Sequence, residues 1–174
     1  MKKINVNELP EKGRELVAGE TVLLSGKVYC ARDAAHKKLF EMMDKGMELP
    51  LDLKNAVIYY AGPTPAYGDK AVGSCGPTTS SRMDKFTPDL IAKGVIATIG
   101  KGKRSIEVIE AIKKHKAIYF CAIGGAGAIA SKHIVKSEIV AFPELGCEAL
   151  RVFDFDEFPL IVGIDSNGNI AMRA

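Results

Sequence analysis

Three cationic side chains stand next to strand-end or glycine punctuation: Arg32, Arg82, and Lys101 inside Gly100-Lys101-Gly102. A planar guanidinium holds a carboxylate through two parallel hydrogen bonds, and ligands of α/β sheets gather outside the carboxyl ends of strands. Two arginines and a lysine at such an edge would grip the two ends of a dicarboxylate. Surface charges that merely follow strands have the same composition. Just before Arg82 run four consecutive hydroxyls, Thr78, Thr79, Ser80 and Ser81. With backbone N–H groups they would make a polar cradle for an oxyanion, and they would serve equally as a capping cluster before a helix. A threonine becomes a useful base only where its proton has somewhere to go or nearby positive charge lowers its pKa. His36 lies three residues after Asp33, and a neutral imidazole near pH 7 suits proton transfer, although a lone helical histidine also fits a structural role. His115 and His133 have no comparable setting. Gly125-Ala126-Gly127-Ala128-Ile129-Ala130 matches G-x-G-x-x-A after a strand, but the remainder of the chain looks antiparallel and opens no Rossmann unit.

The elements that must position these groups belong to an ordinary globular chain of 174 residues, 47% hydrophobic and 26% charged. At this length folding removes about 70% of the unfolded chain's surface from water, so no disulfide or metal staple is required. The formal charge of +3 is too small to imply a nucleic-acid partner. Cys30, Cys75, Cys121 and Cys147 form no C-x-x-C pair and resemble neither a zinc ribbon nor an iron–sulfur loop, which leaves reduced, mostly buried thiols as the expectation. Residues 117–131 are the longest uncharged stretch, too short and too glycine-rich for a bilayer helix. No apolar segment succeeds Lys2 and Lys3, so a cytoplasmic address is expected.

The pattern predicts a first strand over residues 21–31, where Val22, Leu24, Val28 and Cys30 alternate roughly. A helix then starts with Asp33 as N-cap, carries Ala35, Leu39 and Met43 at four-residue spacing, and stops at Gly46. Residues 56–60 form a short apolar strand. Residues 61–81, with four glycines and three prolines, must be loop, and loops this long usually bind something or move. Further helices are expected over residues 87–93, capped by Thr87, and after the Ser105 cap, with Ile106, Ile109 and Ile112 on one face and lysines on the other. Residues 95–99 and 117–123 read as buried strands, residues 128–133 as a short helical segment, and residues 139–142, 149–155 and 160–164 as closing strands. Residues 166–169 supply a hairpin-type turn. The expected class is α/β, with a mixed, partly parallel central sheet flanked by helices.

Taken together, several segments resemble one family, the β subunit, or equivalently the C-terminal domain, of iron–sulfur class I fumarases and L-tartrate dehydratases. They are Arg32-Asp33-Ala34-Ala35-His36, Tyr59-Tyr60-Ala61-Gly62-Pro63, residues 76–84, Ile99-Gly100-Lys101-Gly102, Gly124-Gly125-Ala126 and Glu144-Leu145-Gly146-Cys147-Glu148-Ala149, in the family's order. The resemblance covers almost the whole chain. It implies that residues 1–174 form a single swivelling β/β/α domain, half of a hydro-lyase acting on a four-carbon dicarboxylate. The four-iron four-sulfur cluster would be held by cysteines of a partner α subunit, in an α2β2 assembly, with no metal bound by this chain.

By the same resemblance, Arg32, Arg82 and Lys101 would hold the substrate carboxylates. Thr78 would take the proton at carbon and His36 would act as acid/base. Asp33 would orient His36 or pair with an arginine, and Thr79, Gly124 and Gly125 would support the site. Ser81 stands where the family often has glycine, an added hydroxyl that leaves carboxylate binding intact. Fumarate and L-malate are the favoured substrates, with L-tartrate dehydration to oxaloacetate as the alternative. A small nucleotide- or phosphate-binding module and a purely structural or regulatory subunit are the readings outside this family. No nucleic acid or membrane partner is expected.

Overall fold

The structure, a computed structural model, describes residues 1–122 and 127–172. Its strands are β1 (Lys2–Asn5), β2 (Thr21–Cys30), β3 (Val57–Tyr59), β4 (Ala97–Gly100), β5 (Ile118–Cys121), β6 (Ile134–Ala141) and β7 (Leu150–Ile164). They form one sheet in the order β1-β2-β3-β4-β5-β7-β6. From β1 to β5 every neighbour is parallel. The 15-residue β7 runs antiparallel to both β5 and β2, so β2, β3, β4, β5 and β7 close into a barrel, and β6 pairs with the first part of β7 on the edge opposite β2, the edge that β5 takes further along. The fold is α/β with a mixed sheet.

Closure is visible in the burial pattern. All four residues of β4 and of β5 are buried, as parallel strands covered on both faces require. Inside the barrel Val28, Tyr59, Ile99, Phe120, Phe153 and Phe155 share one core. On the outside, α2 (Asp33–Asp44) and α3 (Thr87–Ala92) lay Ala35, Leu39 and Leu90 over Ile58 and Tyr60, while α4 (Ile106–His115) packs Val108 and Ile112 against Tyr119 and Ile164. Two short helices, α1 (Leu9–Lys12) and α5 (Gly127–Ala130), complete the order.

The element boundaries differ from the sequence expectation at six places. The strand expected over residues 139–142 is β6, which begins five residues earlier at Ile134; its exposed first half carries charges instead of an apolar run. β1 precedes the strand expected first; only Ile4 in it is buried, so it carries no apolar pattern to read. Arg32, not Asp33, is the N-cap of α2, and Asp33 sits in the first turn. Likewise Phe86 caps α3, and the Thr87 hydroxyl turns inward to bond Met83 O at 2.9 Å. On α4 the buried residues are Val108 and Ile112, whereas Ile106 is 74% exposed. The two closing strands expected around Pro159 are one strand. A bulge at Glu157 (φ 49°), whose N–H bonds Ser25 Oγ at 2.9 Å, absorbs the break that the acidic run and the proline suggest. The Ser105 cap is present, its hydroxyl accepting from Val108 N.

Register sets up the site. Cys30, Tyr59, Ile99 and Phe120 lie abreast across four parallel strands, so the chain leaves all four at one edge of the barrel. At that edge the loop chain crosses over β4 so tightly that a Cβ at Gly100 would fall on Ser80 Oγ and 3.0 Å from Tyr60 Cδ2. Gly100→Ala is therefore expected to lower stability by about 1–3 kcal/mol, read as a drop in the urea midpoint with unchanged slope; an unchanged midpoint would show that Ser80 yields freely.

Candidate active site

Among the described residues β2, β3 and β4 deliver pieces of the site at this edge. β2 runs through Ala31, whose N–H bonds Tyr59 O at 3.0 Å, into Arg32 and the start of α2. β4 continues into Lys101. Between them the long loop returns and lays residues 77–80 along the strand ends. Pro77 bridges Ala61, Thr78 N donates to Tyr60 O at 2.7 Å, Thr79 bridges Lys101, and Ser80 N donates to Lys101 O at 2.9 Å. The hydroxyl strip is thus an added segment stitched to the carboxyl ends of β3 and β4, leading into one 3-10 turn over Ser80–Met83 that carries Arg82. Thr78 is half-buried, and Thr79 and Lys101 are exposed or half-exposed at the same rim.

Arg82 turns back toward α2. Its Nε donates to Asp33 Oδ1 at 3.2 Å, while its Nη2 lies 2.8 Å from Oδ2 as an ion-pair contact without hydrogen-bond alignment, which leaves Oδ2 a buried acceptor with no hydrogen-bond partner. Arg32 approaches the same carboxylate, with Nε 3.5 Å from Asp33 Oδ2 and 3.3 Å from Glu148 Oε1. Neither contact closes into a hydrogen bond, so Arg32 Nε is a buried donor without an acceptor. Its guanidinium lies over Gly62, where a Cβ would come within 3.1 Å of Nη1. Among the described residues Lys101 makes no ion pair. Arg32, Asp33, Arg82, Lys101, Thr78 and Thr79 are therefore brought to one edge. Gly124 and Gly125 lie outside the described residues.

His36 is placed differently. It is fully buried behind Arg32, stacked on Phe86 (ring centroids 5.4 Å apart) and edge-on to Tyr60. Nδ1 lies 2.8 Å from Arg32 O, which can only accept, so Nδ1 carries the proton and Nε2 is left as a buried acceptor with no partner. Burial pushes its pKa down to about 4, against the weaker pull of the Arg32 carbonyl and Asp33, so the ring is neutral at pH 7.

Sequence reasoning missed the residue that holds the loop. Arg104, with a side chain 0% exposed, bonds Asp84 Oδ1 through Nε at 2.7 Å, Thr98 Oγ1 through Nη1 at 3.0 Å, and Thr87 Oγ1 through Nη2 at 2.9 Å. Its guanidinium carbon lies 5.2 and 4.7 Å from the ring centroids of Tyr60 and Tyr119. Asp84 Oδ2 also accepts from Ser105 N at 2.7 Å. Burial pushes the Tyr119 hydroxyl pKa up, which keeps it protonated, 2.9 Å from both Ser80 Oγ and Gly102 O. Within Lys101-Gly102-Lys103-Arg104 no sequence signal separates the buried arginine from its exposed neighbours.

A family model described as "Fumarase C-terminus" matches residues 1–173. The chain belongs to that family. "Fumarate hydratase 2" of Leishmania major is 41% identical over 167 residues, 94% of this chain and 29% of that protein. "Fumarate hydratase class I, aerobic" of Escherichia coli K12 is 43% identical over 148 residues, 84% of this chain and 27% of the relative. "Putative L(+)-tartrate dehydratase subunit beta" of Methanocaldococcus jannaschii is 38% identical over 170 residues, 94% of this chain and 87% of that one. The chain thus spans under a third of the first two relatives' length.

The cysteines do not suit a cluster. Among the described residues no three His, Cys, Asp or Glu side chains are grouped to hold a metal. Burial pushes the Cys30 and Cys121 thiols up, which disfavours the thiolate that ligation needs; Cys75 is buried as well and only Cys147 is exposed.

The buried groups generate two expected outcomes. Asp84→Ala, which strands the Arg104 charge in the core, is expected to cost about 3–5 kcal/mol in urea unfolding. The His36 ring, held near 4 in the fold against 6.5 for an ordinary histidine, contributes stability fully present above pH 6.5. As pH falls from 6.5 toward 4 the unfolded chain takes up a proton that the folded one refuses, and up to about 3 kcal/mol is lost. The stability gap between wild type and His36→Gln should shrink by that amount over this window; a constant gap would mean that His36 is not held neutral.

Proposed function

We propose that residues 1–174 act as one domain, the β subunit of a two-chain iron–sulfur hydro-lyase, with reversible hydration of fumarate to L-malate as its reaction. The observation that carries this reading is the convergence of Arg32, Arg82 and Lys101 around a strip of threonine hydroxyls at the carboxyl edge of four parallel strands, in a chain of the fumarase C-terminus family. A name such as "subunit beta" for a relative that this chain covers almost end to end supports a separate α subunit as partner. An α2β2 assembly would pair one copy of each chain twice. The four-iron four-sulfur cluster then belongs to the partner, since the thiols here are unsuited to it.

Arg32, Arg82 and Lys101 bind the two substrate carboxylates, and Thr78 handles the proton at carbon. In the dehydration direction Thr78, as alkoxide, takes that proton and hydroxide leaves the adjacent carbon, where the partner's cluster would supply the Lewis acid. The proton held by Thr78 and that hydroxide together make the water released; in hydration Thr78 returns the proton to carbon. Three cations nearby make the alkoxide less costly, which an isolated threonine cannot achieve. Asp33 orients Arg82 through the Nε hydrogen bond, and Thr79 holds Lys101 in register through their backbone bridge. His36, buried with Nδ1 committed to Arg32 O, supports a positioning role for the Arg32 backbone better than proton exchange with substrate. A cytoplasmic location accords with this role, and no helix among the described residues is long and apolar enough to cross a membrane. Swivelling of the domain would open and close this edge against the partner.

L-tartrate dehydration to oxaloacetate is the second reading, favoured by the tartrate dehydratase subunit name of the relative whose length this chain matches. The test is anaerobic reconstitution with the iron–sulfur α subunit, measuring fumarate from L-malate and oxaloacetate from L-tartrate. Wild type is expected to be active, with the faster substrate naming the enzyme, and Thr78→Ala and Arg82→Ala are each expected to lose at least about 100-fold. Variants that work normally within an intact complex would overturn the site.

A further inference from the structure

β6 is an edge strand: β7 covers one side, and among the described residues no strand covers the other. Long open edges invite pairing with another chain. Val135 and Ile139 are 58% and 48% exposed, and between them Lys136 and Glu138 sit on one face, paired to each other at 3.0 Å. Ser137 between them has a buried hydroxyl with no partner. Register shifts occur near Val135 and Val140, but residues 136–139 pair continuously with β7, so this stretch is a regular strand with a free outer side.

The order Val-Lys-Ser-Glu-Ile is complementary to its own reversal. Laid antiparallel on itself with Ser137 opposite Ser137, its regular stretch places each Lys136 opposite a Glu138, and the exposed Val135 and Ile139 flank those pairs. Cross-strand pairs of opposite charge stabilise such an alignment. The in-register parallel alignment and the charge-centred antiparallel ones fail. Parallel in-register pairing sets Lys136 against Lys136 and Glu138 against Glu138, and an antiparallel shift that centres on either charge sets it against its own copy. The same two charges that would repel most strands select one.

We propose that β6 pairs with β6 of a second copy of this chain across a two-fold axis at Ser137, extending the two sheets into one. Such an interface is isologous, the same patch used twice, and is a case of β-strand addition. It is independent of the proposed reaction, and its test reads no activity. Because the paired stretch is short, the dimer is expected to be concentration-dependent.

The test is sedimentation equilibrium of the full chain across a concentration series, with circular dichroism and melting as folding controls. Wild type is expected to dimerise. Lys136→Glu, which sets Glu opposite Glu twice, is expected to be monomeric yet folded, and Lys136→Glu with Glu138→Lys, which restores complementary pairs, is expected to dimerise again. In a Cys147→Ser background, Ser137→Cys is expected to form a disulfide-linked dimer on mild oxidation, and to lose it when Lys136→Glu is added. A wild type that stays monomeric, even if its β6 amides become protected on adding the α subunit, would overturn the proposal. So would a dimer indifferent to the charge reversal, or no crosslink through Ser137→Cys.

Discussion

A single buried guanidinium governs how the site loop is held. Arg104 sits between the rings of Tyr60 and Tyr119 and bonds Asp84, Thr98 and Thr87, so β3's continuation, β4, β5, α3 and the end of the long loop all meet at one charge. Desolvating that charge is expensive, and the cost is offset only when every donor finds a partner in good geometry. An apolar side chain of similar volume could match the stability, but it would not require Asp84 to stand at one point. Because Asp84 also accepts from Ser105 N, the loop end and the start of α4 are fixed to each other. Arg82 lies two residues upstream of that anchor, so its reach to Asp33 is set by a bond in the core.

Similar stitching lets the loop be long yet ordered. Some twenty residues without helix or strand carry many backbone groups in need of partners. Here the ends are tied to the sheet, by Thr78 to Tyr60 and Ser80 to Lys101, and Cys75 N reaches Gly127 O at 3.2 Å. The Tyr59 hydroxyl, buried within the barrel, donates to Cys75 O at 2.7 Å. The barrel core therefore reaches into the loop and fixes its middle, while Arg104 fixes its end.

Legibility in the sequence divides along physical lines. The covered parallel strands are readable because a strand buried on both faces must be apolar throughout, as residues 118–121 are. β1 is not, since an edge strand with one buried residue looks like any polar segment. β7 reads as two strands because Pro159 and the acidic run suggest a break, and only the tertiary bond from Glu157 N to Ser25 Oγ carries the strand across. Of the site, the cations at strand ends can be picked out by position. Arg104 cannot, because burial of one charge in a basic run depends on Asp84, twenty residues away in the chain. The burial of His36 has a faint signal. It falls beside Ala35 and one turn before Leu39, within the apolar stripe of α2, where a histidine is more often core than surface.

Charge accounting at the edge shows what kind of site this is. Arg32, Arg82 and Lys101 face Asp33 and Glu148, leaving one positive charge among these five for an incoming dianion. Arg82 gives Asp33 one hydrogen bond through Nε and an ion-pair contact through Nη2, so an incoming carboxylate would have to share it with Asp33. Arg32 retains an unsatisfied Nε and two terminal nitrogens beside Gly62, and Lys101 is exposed. In open water a pair of unit charges 4 Å apart is worth only about 1 kcal/mol, against about 4 kcal/mol at an effective dielectric constant near 20. Half-exposed arginines and an exposed lysine at an uncovered barrel edge would thus bind a dicarboxylate weakly. The same residues under a second protein layer that excludes water would bind it several times more strongly, and would depress the pKa of a threonine among them. The chemistry available to this edge therefore depends on what closes over it.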